Sequence, residues 1–275
     1  MLTLAIGDLF IPDRSIDLPP NFKKLLAPQP SSSPSNSKIN QVICLGNITN
    51  SDSTLQFLTN ISPSFNLVRG EFDNPTILSQ QLTSLNKNSS IPLCNKFVHD
   101  NLKIGYTNGY QLVPRGDPLV LAAIARELDV DVLIWGGTHK VEAYTLDGKF
   151  FINPGSATGA FSFDSPDNDD DDDDEVEQEE EDPEVKEGES EVKEKESEEE
   201  KKELDSDKKR DKDDNKKEES DNSVDPKQVL YEVTEMNSNI PSFCLLDTHG
   251  STCILYIYTH IDGEVKVDKV TYTKD

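Results

Sequence analysis

Short apolar runs alternate with amphipathic or polar stretches over the first 160 residues. Leu2, Leu4 and Ile6 recur at every second position, the period of a strand, and Val42–Leu45 is a second apolar run of strand length. Asn66–Arg69 and the more polar Lys103–Thr107 supply a third and a fourth strand. Between them Phe22–Ala27 reads as a short helix, and Leu55, Leu58 and Ile61 place a helical stripe on Thr54–Ile61. Pro28–Ser37 is a loop rich in proline and serine. Asp117-Pro118 opens a clearer helix that runs to Leu128, because aspartate accepts from the first free N–H groups and proline suits the first helical position. Val132–Trp135 is a buried strand, and Asp147-Gly148 makes a hairpin turn between Tyr144–Leu146 and Phe150–Ile152. Strands resume at Phe243–Asp247, Thr252–Tyr258 and Glu264–Tyr272, with Gly250 and Asp262-Gly263 at the turns. Strand–helix alternation followed by hairpins predicts an α/β sandwich with mixed sheets.

Charge interrupts that pattern. The chain has 275 residues and a net charge of −26, and residues 164–226 hold 33 of its 53 acids but 11 of its 27 bases. The other 212 residues are near-neutral and suffice for one domain with a full core, 1–163 plus 227–275. Residues 164–226 contain no aromatic side chain, and Val176, Val185, Val192, Leu204 and Val224 are their only large aliphatics. So little apolar surface cannot offset the entropy of ordering, and a disordered acidic insertion is expected. It reads as a solvated spacer, a lure for basic partners or a phosphorylation platform.

Several classes drop out. No apolar run reaches the ~18 residues of a membrane-spanning helix, so no direct membrane insertion is expected. Met1–Phe10 lacks the basic start of a signal peptide. Cys44, Cys94, Cys244 and Cys253 show no paired spacing, which points to free thiols in a reducing, cytoplasmic compartment. No cluster of positive charge is present for nucleic acid. Composition alone would also admit an acidic histone-type chaperone.

The strand ends carry the chemistry. Ile6 leads into Gly7-Asp8, Leu45 into Gly46-Asn47, Val68 into Arg69-Gly70-Glu71, and Trp135 into Gly136-Gly137-Thr138-His139. In an α/β fold the carboxyl ends of strands form the binding crevice, and a polar residue after a glycine turn points into it. This order resembles the calcineurin-like metallophosphoesterases, whose pattern runs Asp-x-His, Gly-Asp, Gly-Asn-His-Asp/Glu, His-Gly and Gly-His-x-His. In that superfamily two metals activate water against a phosphoester. The pattern here is eroded: Asp8 and His139 are kept, while Phe10, Asn47, Phe72, Asn108 and Gly137 stand where ligands or the general-acid histidine would be. The resemblance therefore implies a vestigial site at Asp8, Asn47, Glu71, Asn108 and His139, with no cofactor and no enzyme activity. A metal-dependent phosphoesterase is the alternative.

Longer stretches narrow the resemblance. Leu18–Leu26, Val68–Asp73, Phe151–Ala160 and Pro241–Phe243 are similar to one branch of that superfamily, the metallophosphoesterase-fold small subunits of retromer. That resemblance implies a scaffold for endosome-to-Golgi retrograde and vacuolar sorting, peripheral on the cytosolic face of endosomes. It implies that the large α-solenoid subunit binds the vestigial face through Phe10, Ile11, Leu112, Val113 and His139. It also implies an apolar patch on the opposite side at Leu2, Leu25, Leu26, Leu245, Tyr256, Tyr258 and Val267. Sorting-nexin and small-GTPase-regulator type accessory proteins would use that patch.

Overall fold

The computed structural model describes residues 1–159 and 240–274. The expected insertion at 164–226 lies outside the described residues. In chain order the elements are β1 (Leu2–Ile6), α1 (Pro20–Leu26), β2 (Gln41–Cys44), α2 (Asp52–Ile61), β3 (Ser64–Leu67), α3 (Pro75–Ser84), β4 (Cys94–His99), β5 (Leu102–Thr107), α4 (Pro118–Glu127), β6 (Val132–Ile134), β7 (Val141–Leu146), β8 (Lys149–Pro154), β9 (Ser242–His249), β10 (Thr252–Ile261) and β11 (Glu264–Thr273).

They form an α/β sandwich with mixed sheets, as the sequence pattern predicts, and the calcineurin-like arrangement of two mixed β-sheets flanked by helices that the resemblance implies. One sheet runs β11-β10-β9-β1-β2-β3 and the other β4-β5-β6-β8-β7. β1, β2 and β3 are parallel, as are β5, β6 and β8, while β9, β10, β11, β4 and β7 pair antiparallel. The central parallel strands β2 and β6 carry unbroken apolar runs because both faces are covered: Val42, Ile43, Cys44, Val132, Leu133 and Ile134 are all buried. Between the sheets lie Ala5, Ile43, Ile104, Val132, Ile152, Cys244, Leu246 and Leu255. On the other side of the first sheet, Leu4, Ile6, Val42, Cys44 and Phe243 pack with Phe22 and Leu26 of α1, Leu55 and Leu58 of α2, and Leu78 and Leu82 of α3. Leu121, Ala122 and Ala125 of α4 pack with Leu133, Trp135 and Phe151.

Two elements escaped the sequence pattern. α3 has a legible start, since the Asn74 side chain accepts from the N–H groups of Thr76 and Ile77 and Pro75 follows it. Its apolar face is thin, with Leu78 and Leu82 the only buried residues. β4 pairs with β5 alone, and its residues are exposed or half-buried, so no alternation marks it. β3 also begins and ends two residues earlier than Asn66–Arg69.

The chain leaves β8 and returns to β9 across a short gap. Ser242 Oγ donates to the Pro154 carbonyl at 2.7 Å, and the Ser242 N–H donates to the Ser156 carbonyl at 2.9 Å.

Candidate functional site

The ends of β1, β2, β3, β5 and β6 bring Asp8, Asn47, Glu71, Asn108 and His139 to one region. Asp8 is fully buried at its centre. Its Oδ1 accepts from Asn47 Nδ2 at 2.6 Å and Asn108 Nδ2 at 3.2 Å, and its Oδ2 accepts from the Gly137 N–H at 2.9 Å. His139 Nε2 lies 3.9 Å from Oδ1. Burial raises the Asp8 carboxyl above its ordinary value, and His139 and the three N–H donors pull against that rise. A carboxyl raised in the fold binds more protons folded than unfolded, so its contribution to stability falls as pH climbs above the ordinary 3.8. Asp8 is thus a costly strut, held by donors from both sheets.

Sharp turns deliver these side chains. Asp8, Phe10, Asn47 and His139 all sit at left-handed φ, from 49° to 64°. Asp, Asn and His tolerate that region, whereas an aromatic there stores strain that its surroundings must hold. The Phe10 N–H donates to the Asn47 carbonyl at 2.7 Å. Its ring packs edge-on to His139, with centroids 5.0 Å apart, and to Phe72 at 5.6 Å. Phe10 thus joins His139 to Phe72 through a run of ring contacts.

A second carboxylate organises the β2 and β3 turns. Asp73 accepts from the N–H groups of Asn47 at 2.8 Å, Gly70 at 2.9 Å and Thr49 at 3.0 Å. Burial raises this carboxyl too, and those backbone donors oppose the rise. A side chain at position 70 would collide with the Asn47 backbone nitrogen and Oδ1, so glycine is required there. The Asn47 Oδ1 meanwhile accepts from the Phe72 N–H at 3.0 Å.

These contacts decide how a cation would fare. The Asp8 oxygens face N–H donors, which cannot ligate metal. Asn47 turns its oxygen toward a backbone N–H, and Glu71 turns away to Arg115, with Oε2 2.8 Å from a guanidinium nitrogen. The Asn108 Oδ1 is buried without a hydrogen-bond partner among the described residues. Among the described residues no group of three or more His, Cys, Asp or Glu could hold a metal ion. The donor set does not fit the two-metal site of the superfamily.

Comparison with known proteins agrees with this fold. The calcineurin-like phosphoesterase superfamily domain matches residues 24–167. Vacuolar protein sorting-associated protein 29 of Saccharomyces cerevisiae is 45% identical over 289 residues, covering 100% of both chains. The chain belongs to the vacuolar protein sorting-associated protein 29 family. A crystal structure of Chaetomium thermophilum Vps29 matches with a TM-score of 0.63 at 34% identity, covering 100% of both chains. A wild-type Vps29 from Entamoeba histolytica, complexed with Zn²⁺, matches with a TM-score of 0.60 at 28% identity, covering 98% of this chain and 99% of that one.

Within the family fold, the residues expected at a solenoid interface separate by exposure. Phe10, Ile11, Leu112 and His139 are buried, whereas Val113 is 83% exposed. Phe72 is 53% exposed and joins Val113 as an apolar surface residue of this region that sequence reasoning did not count as interface. Of the second set, register places Leu245 opposite Tyr256 and Tyr258 opposite Val267, and Leu4, on the same face as Leu2, opposite Leu245. Leu2, Leu245, Tyr256, Tyr258 and Val267 therefore share the outer face of the six-stranded sheet. Tyr258 stacks on Phe243 at 4.7 Å, and Phe243 meets Phe22 of α1. Leu25 and Val267 are exposed, but Leu26 is 1% exposed and belongs to the core.

Asp73→Ala should strand three buried backbone N–H groups at once. At about 1–3 kcal/mol for each, the loss should be at least ~3 kcal/mol and lower the melting temperature by roughly 6–12 °C. Calorimetric unfolding of the variant checks this, and a shift below ~2 °C would remove Asp73 from the role of organiser.

Proposed function

We propose that this chain is a non-catalytic scaffold subunit of retromer in endosome-to-Golgi retrograde transport, working at the cytosolic face of endosomes. The observation that carries the non-catalytic part is the set of N–H donors on Asp8, which occupies the carboxylate that a metal would need. Membership of the vacuolar protein sorting-associated protein 29 family supports the retromer part. The described residues contain no helix long and apolar enough to cross a membrane.

In this reading the large α-solenoid subunit docks on the vestigial face. Val113 and Phe72 enter the contact directly, and Phe10, Ile11, Leu112 and His139 shape the surface beneath. Accessory proteins of the sorting-nexin or small-GTPase-regulator type use the outer face of the six-stranded sheet, around Leu2, Leu25, Leu245, Tyr256, Tyr258 and Val267. Residues 164–226 are an insertion that the domain does not require, a reading supported by the short gap that Ser242 bridges to Pro154 and Ser156.

Val113→Asp should abolish binding of the purified solenoid subunit while the melting temperature stays within ~1 °C. A charge forced into a dry contact is desolvated without a partner, whereas at an exposed position it costs the free chain little. Val267→Asp should leave that binding intact and lose accessory partners. Calorimetric titration of both variants tests the assignment, and loss of solenoid binding in Val267→Asp with Val113→Asp unaffected would reverse the two faces.

The purified chain should not turn over an aryl phosphate in the presence of manganese. Metal-dependent hydrolysis that disappears in both Asp8→Ala and His139→Ala would establish the phosphoesterase reading instead.

Replacing residues 164–226 by a short Gly/Ser linker should leave solenoid binding and melting temperature unchanged. A fall of several degrees would make the segment part of the folded domain.

A further inference from the structure

The two sheets must be tied together where their strands end, and one cation of the chain itself spans that mouth. Arg115 lies between β5 and α4, on the loop that carries Val113. One of its guanidinium nitrogens donates to Glu71 Oε2 at 2.8 Å, in the turn after β3 of the first sheet. The other donates to the Gly137 carbonyl at 3.2 Å, in the turn after β6 of the second sheet. Gly137 is thereby gripped at both polar groups, because its N–H donates to Asp8 Oδ2 at 2.9 Å. Glu71 is the carboxylate of the eroded motif that turns away from Asp8, and it turns toward this guanidinium.

We propose that Arg115 is the positioning residue that replaces metal at this site, cross-linking the Glu71 turn to the Gly137 turn and fixing the loop that presents Val113. The planar fork of arginine suits the task, since it can reach a carboxylate and a carbonyl at once, and a lysine ammonium offers no such fixed geometry. A metal at the strand ends would draw on Glu71 and Asp8. Here the guanidinium takes the first, and the Asn47, Asn108 and Gly137 N–H groups take the second. The chain thus carries its own fixed positive charge, and the order of the mouth is independent of divalent ions. Side-chain exposures of 28% for Arg115 and 35% for Glu71 leave the pair open to partial screening by salt.

The test uses the full-length chain without any partner. Hydrogen exchange is followed by mass spectrometry in peptides covering 109–116 and 137–139. Arg115→Ala and Glu71→Gln should each speed exchange there by roughly three- to tenfold, the double variant should add little to either, and Arg115→Lys should recover only part of the protection. Peptides from β9 and β10 should be unchanged, which separates local positioning from general loss of stability. Exchange in the wild type should also be the same in EDTA and in zinc or manganese. Unaltered exchange in Arg115→Ala, equal effects throughout the chain, or stoichiometric zinc binding that slows wild-type exchange in these peptides would each overturn the proposal. Because no partner is present, these outcomes stand apart from success or failure of the scaffold reading.

Discussion

A carboxylate with no access to water sits where the two sheets meet, and the surrounding turns are arranged around it. Asp8 cannot be solvated, so its charge must be met by donors from the protein. One donor comes from the end of β2, one from the end of β5 and one from the turn after β6. Asn108 Nδ2 donates in addition to the Leu45 carbonyl at 2.7 Å, so the same amide also joins the second sheet to the first. Removing the charge would leave donors facing one another. The left-handed turns at Asp8, Asn47 and His139 are the backbone geometry that brings these groups to a common point.

Around this centre the structure is layered. Asp73 fixes the turns of the first sheet from below, Phe10 and Phe72 cover the centre with apolar rings, and Arg115 with Glu71 spans the mouth. The outcome is a rigid, partly apolar surface in which Val113 and Phe72 stand out from buried supports. A surface of that kind suits docking of another protein, since anchors on fixed backbone lose little entropy when they are covered. The outer face of the six-stranded sheet is built on different physics. There a strand alternation leaves tyrosine and aliphatic side chains half-covered by α1.

Period and punctuation by themselves pointed to an α/β sandwich with mixed sheets, because β2 and β6, buried on both faces, read as unbroken apolar runs and glycine turns separate the last three strands. The glycine–polar endings of four strands also located the site, and the identities of Phe10, Asn47, Phe72, Asn108 and Gly137 marked it as eroded. β4 was not legible because an edge strand that half-buries only Phe97 and His99 has little pattern to display, and α3 because its two buried leucines make too narrow a stripe. Tertiary structure alone decided what the polar residues do with one another. Asparagine has both an oxygen and an N–H₂ to offer, and only the fold shows that Asn47 and Asn108 turn nitrogen toward Asp8. Asp73 and Arg115 carry little local signal of their roles, since most of their partners lie far along the chain, at 47 and 49 and at 71 and 137. The resemblance implied a shared face for Phe10, Leu112 and Val113 but could not rank their exposure, because burial depends on what other segments lie over them.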